Sequence, residues 1–364
     1  MTLIMQYIDE YRDKEKIISL SNRIKFESRS PLRIMEVCGG HTMAIQRFGI
    51  PSLLPEHIEL VSGPGCPVCV TDRAYIDKAI AYARQSDVII TTFGDLIRVP
   101  GSSSTLDREK AMGADVRIVY SILDALTIAK KNRKKKIIFL GIGFETTSPG
   151  TAAGIIKAQM AGLFNFYVLS AHKIMPPPMA ALIEQGVKID GYLGPGHVST
   201  ITGSAMYQFI PERFNLGVVI SGFEPLDILQ SIYMLVLQYE NKQPKVEIQY
   251  NRVVRPEGNI KALELLDEVF ELRDDWWRGL GILPASGMDI RPKYESFDAE
   301  KQIPVQVEPT REDKGCICGK ILKGIANPSD CKLFGKACTP ADPAGACMVS
   351  NEGACAAHYR FKKS

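Results

Sequence analysis

Lys136-Ile-Ile-Phe-Leu140, followed by Gly141-Ile-Gly-Phe-Glu-Thr-Thr147 and by a helical pattern over 149–162, is the stretch that decides the fold. A short apolar strand runs into a loop of Gly and polar residues, and then into an amphipathic helix. The same unit recurs along the chain. Strands are expected at Arg33–Val37, Ile58–Ser62, Val88–Thr92, Val116–Tyr120, Lys136–Leu140, Phe166–Ser170, Gly191–Leu193 and Gly217–Ser221. Helices are expected at 42–48, 72–85, 121–131, 149–162, 177–186, 201–208 and 226–239, with a further helical pattern over 2–27. Such alternation reads as α/β with parallel sheets. Eight strands could close one barrel, but the irregular intervening segments favour two open sheets.

The expected fold class is therefore α/β: two open parallel-sheet α/β domains facing a cleft, plus an irregular cysteine-rich segment. Residues 1–30 are expected to form an N-terminal helix packing on the C-terminal segment. Residues 31–135 would form the first α/β domain and 136–283 the second. The boundary is placed at the basic run Lys130, Lys131, Arg133, Lys134, Lys135 and Lys136, which reads as the solvated end of a helix. From about residue 284 Pro, Gly and Asp become frequent and apolar runs stop. Six of the nine cysteines fall between 316 and 355, so residues 284–364 have little core of their own and need a crosslink.

Composition narrows the function classes. The 364 residues are 45% hydrophobic and 23% charged, an ordinary globular balance. A net charge of +3 implies no broad basic face, so no nucleic-acid partner is expected. No run of about 18 apolar residues suggests a membrane span, and the N-terminus lacks the pattern of a secretory leader. A cytoplasmic location follows as the expectation. In a reducing compartment nine cysteines point to metal binding or redox work more than to a disulfide framework.

The chemistry-bearing motifs fall just after expected strands, where open parallel sheets form their sites. Cys38-Gly-Gly-His-Thr42 places a thiol at a helix start, where backbone N–H groups and the dipole stabilise a thiolate; His41 could assist or be a ligand. The expectation is a thiolate at the cleft with a lowered pKa. Cys66-Pro-Val-Cys69 is a CxxC that permits a redox disulfide or half a zinc site. Its strand–loop–helix setting, with Asp72 as N-cap, favours redox work. Glu145 with Thr146 and Thr147 suits proton transfer near a reacting centre, or a helix cap. Gly141-Ile-Gly-Phe-Glu-Thr146 is not a dinucleotide loop: the third glycine is missing and a carboxylate stands where a pyrophosphate would bind. Phe93-Gly-Asp95, Ala171-His-Lys173 and Gly194-Pro-Gly-His-Val-Ser199, with His197, complete the set. Two internal echoes occur, Ser62-Gly-Pro-Gly-Cys66 with Leu193-Gly-Pro-Gly-His197 and Gly143-Phe-Glu145 with Gly222-Phe-Glu224. In the C-terminal segment Cys316, Cys331, Cys338 and Cys355 are separated by 14, 6 and 16 residues, a thiolate set for an Fe–S cluster or zinc. Spacing alone leaves Cys318 open as a substitute for Cys316.

In order along nearly the whole chain, Cys38-Gly-Gly-His-Thr, Gly-Pro-Gly-Cys66-Pro-Val-Cys69-Val-Thr, Gly-Phe-Glu145-Thr-Thr, Pro195-Gly-His-Val-Ser-Thr-Ile201 and the C-x14-C-x6-C-x16-C array resemble the signature set of the HypD family. That resemblance implies a role in assembling the Fe(CN)₂CO unit of [NiFe]-hydrogenases, with a HypC-like chaperone and a HypE-like cyanide donor as partners. It implies that Cys38 helps hold the transient Fe(CN)₂CO iron. It also implies that Cys316, Cys331, Cys338 and Cys355 bind a [4Fe–4S] cluster, and that Cys66 and Cys69 exchange electrons with it. Cys318 and Cys347 lie outside the family array, where an additional disulfide is one expectation. Two other functions stay open at this point, a stand-alone Fe–S thiol–disulfide reductase and a zinc-stabilised scaffold without redox work.

Overall fold

The structure, a computed structural model, describes residues 8–311 and 315–361. All eight expected strands form: β1 Leu32–Glu36, β2 Ile58–Ser62, β3 Val88–Thr92, β4 Val116–Ile118, β5 Lys136–Gly143, β6 Phe166–His172, β7 Gly191–Pro195 and β8 Gly217–Ser221. Three more follow, β9 Val246–Ile248, β10 Phe270–Trp277 and β11 Gly281–Ile290. One parallel sheet has the order β2-β1-β7-β8-β9, the other β4-β3-β5-β6, and β10 pairs antiparallel with β11. Helices cover the sheet faces, so β3, β7 and β8 are buried along their whole length. Two open sheets, not a barrel, are the architecture.

The sheets do not divide where the basic run suggested. β3 pairs with β5 across residues 130–136, so the run lies within one sheet unit, from the end of the helix Ile122–Lys131 to the start of β5. The other sheet is discontinuous in sequence, because β1 takes β7 as its neighbour (Met35 opposite Tyr192). Apolar periodicity marks a strand but carries no information on which strand lies beside it.

The helix Lys14–Glu27 begins at Asp13, whose side chain accepts from Lys16 N. It packs along the helix Pro225–Glu240, against the expectation that it would pack on the C-terminal segment. Its buried Leu20 and Ile24 join Leu226, Leu229 and Ile232 in one core. Burying each such side chain contributes about 1.5–3 kcal/mol. That apolar stripe needs an apolar partner, and the cysteine segment offers few.

The hairpin β10–β11 is fastened to the end of β6. Ser170 Oγ donates to Met288 O at 2.9 Å, Arg273 Nη2 donates to Ser170 O at 3.1 Å, and buried Lys173 pairs with Asp275 and donates to Trp276 O at 2.9 Å. The change of texture at residue 284 therefore falls within β11, and the irregular segment starts after it. Among the described residues no helix is long and apolar enough to cross a membrane.

Candidate functional site

Each sheet has one point where successive connections leave in opposite directions. In the first it lies between β1, which leads to β2 on one side, and β7, which leads to β8 on the other. In the second it lies between β3 and β5. Ligands in open α/β sheets bind outside the strand carboxyl ends at such points. Cys38 follows β1, His197 follows β7, the Phe93–Asp95 loop follows β3, and Phe144–Thr147 follows β5. Together these loops line a cavity of about 420 Å³, with Gly65 before the CxxC, Pro67 and Val68 within it, and Ser350 and Glu352 from the C-terminal segment. The structure thus brings Cys38, Thr146, Thr147 and His197 to one cavity. His41 and Glu145 are fully covered beneath it, and Cys66 and Cys69 are buried at its edge.

Cys38 is the residue before the helix Gly39–Arg47, in extended conformation. The expectation of an exposed, acidified thiol is overturned. Cys38 is only 7% exposed. Burial, then the charges of Glu352 and Glu36, push its thiol up to about 12. The N–H groups of Gly40 and His41 favour the thiolate, as the helix-start reading anticipated, but desolvation exceeds them. Glu36 itself is pushed up to about 8 by burial, although Thr42 Oγ1 donates to it at 2.6 Å. The two glycines after Cys38 admit protein. A Cβ on Gly39 would lie 2.4 Å from Glu352 Cβ, and one on Gly40 would lie 2.9 Å from the Phe223 ring.

His41 Nε2 lies 3.2 Å from Ser221 O and 3.0 Å from Gly222 O. Both partners are carbonyl acceptors, so Nε2 carries the proton and Nδ1 presents a lone pair. Nδ1 is buried with no hydrogen-bond partner. Burial lowers the ring's pKa to about 4, which keeps it neutral near pH 7. Phe223 is stacked between His41, at 4.5 Å, and His197, at 3.9 Å. Sequence reasoning did not single out Phe223, although the Gly222-Phe-Glu224 echo pointed at it. In the matching Gly143-Phe-Glu145, Phe144 stacks on Trp277. Glu145 accepts from Met175 N at 3.0 Å through Oε1, while Oε2 has no partner and burial pushes the carboxyl up to about 7. It does not cap its own helix. Thr147 Oγ1 donates to Phe144 O at 3.2 Å, which closes the turn.

The sulfurs of Cys66 and Cys69 lie at disulfide distance from each other. Their loop presses on Cys38: Gly39 N donates to Gly65 O at 2.9 Å, and Gly65 sits against the Cys38 backbone. Arg278, beyond β10, donates to Cys69 O at 3.0 Å and Thr71 O at 2.9 Å, which braces the far side of the loop.

Cys316, Cys331, Cys338 and Cys355 line one small pocket with Cys318, walled by Ile321, Leu333, Phe334 and Met348. Ala344 N donates to Cys338 Sγ at 3.3 Å. A side chain at Gly345 would lie 2.6 Å from Cys316 Sγ and 2.8 Å from Cys318 Sγ, so only glycine leaves room for the thiols. Among the described residues no three His, Cys, Asp or Glu side chains converge on a single ion. Four thiols spread around an apolar pocket fit a cluster, whose thiolates are distributed over several irons. Cys318 and Cys347 are free thiols here, not the additional disulfide that was one expectation. Cys318 Sγ lies 3.2 Å from Cys316 Sγ, and thiol donors from Cys316, Cys347 and Cys355 hold its pKa down. The segment meets the cavity directly. Ala346–Met348 packs on Pro67–Val70, and the helix Ala354–Phe361, which carries Cys355, packs on Gly39–Arg47.

Comparison with known proteins identifies the family. The HypD family model, described as the Hydrogenase formation hypA family, matches residues 15–362. Hydrogenase maturation factor HypD2 of Bradyrhizobium diazoefficiens is 47% identical over 98% of this chain and 97% of its own. Hydrogenase maturation factor HypD of Rhizobium leguminosarum bv. viciae is 45% identical, over 98% of this chain and 96% of its own. The protein of the same name from Escherichia coli K12 is 44% identical over 99% of both chains. The chain belongs to the HypD family of hydrogenase maturation factors.

Proposed function

We propose that this chain matures [NiFe]-hydrogenases by holding an iron ion at Cys38 while cyanide and carbon monoxide are attached to it, in complex with HypC-like and HypE-like partners. One observation carries the reading. The Cys38 thiol, the Cys66–Cys69 pair and the cysteine-rich segment are three separate stretches of sequence packed in direct contact around one cavity.

The iron is cargo. A buried thiol pushed up to about 12 keeps its proton until a cation displaces it, and a coordinating metal deprotonates a thiol outright. The carboxyls of Glu36 and Glu352 beside the sulfur, both pushed up by burial, can release their protons as positive charge arrives. The Nδ1 lone pair of His41, free of other partners, is the second donor on offer. Glu145, pushed up to about 7, takes up and gives up its proton near pH 7, and Thr146 lines the cavity, so the β5 loop supplies a proton store for the site. Soft thiolate and neutral imidazole suit low-valent iron that carries strong-field ligands.

Cys316, Cys331, Cys338 and Cys355 would hold a [4Fe–4S] cluster, which supplies electrons one at a time. Cys66 and Cys69 form the dithiol–disulfide couple beside Cys38. Replacing Cys38 by Ala removes one sulfur and no ligand of the C-terminal pocket. The expected result is a folded protein with its bound iron–sulfur iron intact, but without the infrared cyanide and carbonyl bands in the complex with the HypC-like partner. Undiminished bands in Cys38→Ala would show that Cys38 is not an essential ligand.

A further inference from the structure

The cysteine pocket of the C-terminal segment reaches the surface at Cys316 and Cys331, which are half-buried together with Leu333 and Phe334. Its other lining residues Cys318, Cys338, Cys355 and Met348 are buried. Met348 belongs to the turn Ala346–Met348, which packs on Pro67–Val70, and Cys69 Sγ lies 4.0 Å from Ala346 O. The pocket thus stands between an outer face and the CxxC.

That face has an apolar centre and a basic rim. Phe334, a wall of the pocket, meets Tyr359 edge-on with ring centroids 6.0 Å apart, and Tyr359 is 45% exposed. Lys332 and Lys336 flank the turn Leu333–Gly335, and Arg360 follows Tyr359. All three cations are exposed, and none makes an ion pair among the described residues; Arg360 Nη2 donates to Asn351 Oδ1 at 2.9 Å. Asp330 is the one acidic residue between 315 and 341, and its Oδ2 accepts from Asn327 N at 2.8 Å. Of the other acidic residues in the segment, Glu352 is turned in against Gly39 and Asp342 lines a separate cavity with Arg73, Arg98 and Arg108. Residues 312–364 hold eight Lys and Arg against five Asp and Glu, so the whole formal excess of +3 lies in this segment and the rest of the chain balances to zero.

We propose that the face formed by Lys332, Phe334, Lys336, Tyr359 and Arg360 docks a small acidic one-electron carrier protein, which supplies the electrons that reduce Cys66 and Cys69. The inference rests on reading those two cysteines as a redox couple. Two one-electron deliveries and two protons from solvent turn the disulfide into two thiols, and two carrier molecules leave oxidised. Three cations around an aromatic centre are too few for nucleic acid, which needs a broad basic stripe. They suit the small, transient contacts of electron-transfer partners, which bury less than about 1,200 Å². Opposite charge on such patches speeds the encounter and orients it.

The test uses the anaerobic, iron-loaded full-length protein with two acidic carriers, a reduced flavodoxin and a reduced [2Fe–2S] ferredoxin. Carrier reoxidation is followed by stopped flow, with thiol labelling of Cys66 and Cys69 as the end point. At least one carrier should react in a second-order step. That step should slow steeply as ionic strength rises from about 0.01 M to about 0.15 M, where the screening length shortens from about 30 Å to about 8 Å. Lys332→Glu with Lys336→Glu should keep its iron, react at least about tenfold more slowly at low salt and lose the salt dependence. Carbodiimide cross-linking of the oxidised carrier to the parent protein, which needs no turnover, should join carrier carboxylates to Lys332 or Lys336; if the double variant loses iron, this map decides alone. Methyl viologen radical, a small cation, should reduce parent and variant equally. If viologen reduces Cys66 and Cys69 but neither carrier does, the docking face is overturned and the redox couple stands. Carrier reduction indifferent to salt and to the double variant, or cross-links confined to other lysines, overturns it in the same way. No new thiols with any reductant overturns both.

Discussion

Gly65 is the position where the CxxC loop and the Cys38 loop touch most closely. A Cβ there would lie 2.3 Å from Cys38 N, 2.5 Å from Val37 C and 2.6 Å from Cys38 Cα. All three are backbone atoms, so no rotamer change relieves the overlap. Ordinary contact begins at 3.4 Å, so Gly65→Ala must part the two loops by about 1.1 Å. That displacement strains or breaks the Gly39 N–Gly65 O hydrogen bond, now 2.9 Å long. Overpacking of this kind costs about 1–3 kcal/mol. Urea unfolding should read that loss. Alkylation of Cys38, followed by peptide mass mapping, should become faster as its cover lifts. Gly150→Ala is the control: a Cβ there meets nothing within 4 Å, and the site is inside the helix Ser148–Met160, so stability should hold or rise slightly. If Gly65→Ala leaves stability within about 0.5 kcal/mol of the parent and Cys38 equally slow to react, close backbone contact is not what couples the two loops.

The Glu145 carboxyl is pushed up from 4.5 to about 7 by burial, so the folded state keeps a proton that the unfolded chain releases near pH 4.5. The stability of the neutral acid is fully present below about pH 4.5 and is lost as pH rises through about 7; Glu145→Gln should flatten this fall when urea midpoints are compared at about pH 5 and about pH 8. Anaerobically purified protein should carry about four irons per chain, and Cys338→Ala should remove them and speed proteolysis within 315–361; stoichiometric zinc without iron would refute the cluster. Thiol labelling should show Cys66 and Cys69 appearing together on reduction, and full labelling of both in oxidised protein would exclude a redox couple there.

The first eight strands were legible because each is an apolar run closed by Gly or a polar residue. Their extents were underread where β5 continues through Gly141-Ile-Gly143, since glycine gives no apolar signal while its backbone still pairs with Ser170 to His172. β10, Phe270-Glu-Leu-Arg-Asp-Asp-Trp-Trp277, carries four charged residues and is largely solvent-facing, and Pro284 interrupts β11, so neither looked like a strand. The sheet order was illegible because pairing between β1 and β7 depends on distant parts of the chain. Motif residues could be assigned to a cavity from their positions after strands. Their ionisation could not, because the chain pattern shows a helix start at Cys38 but not the Glu352 that approaches it from the far end of the sequence.

The discontinuous sheet also orders events at the ribosome. β1 and β2 leave the exit tunnel long before β7, which begins about 155 residues after β1 ends. The sheet β4-β3-β5-β6, contiguous in sequence, can close meanwhile, because its contacts are more local. During that interval Cys38, Cys66 and Cys69 lack the roof later provided by the loops after β7 and β8 and by residues 346–355. Nascent chains stalled near residue 215, with β6 outside the tunnel and β7 still within it, should therefore show protease-resistant 88–172 and freely alkylated Cys38, and only release of the finished C-terminus should shield that thiol.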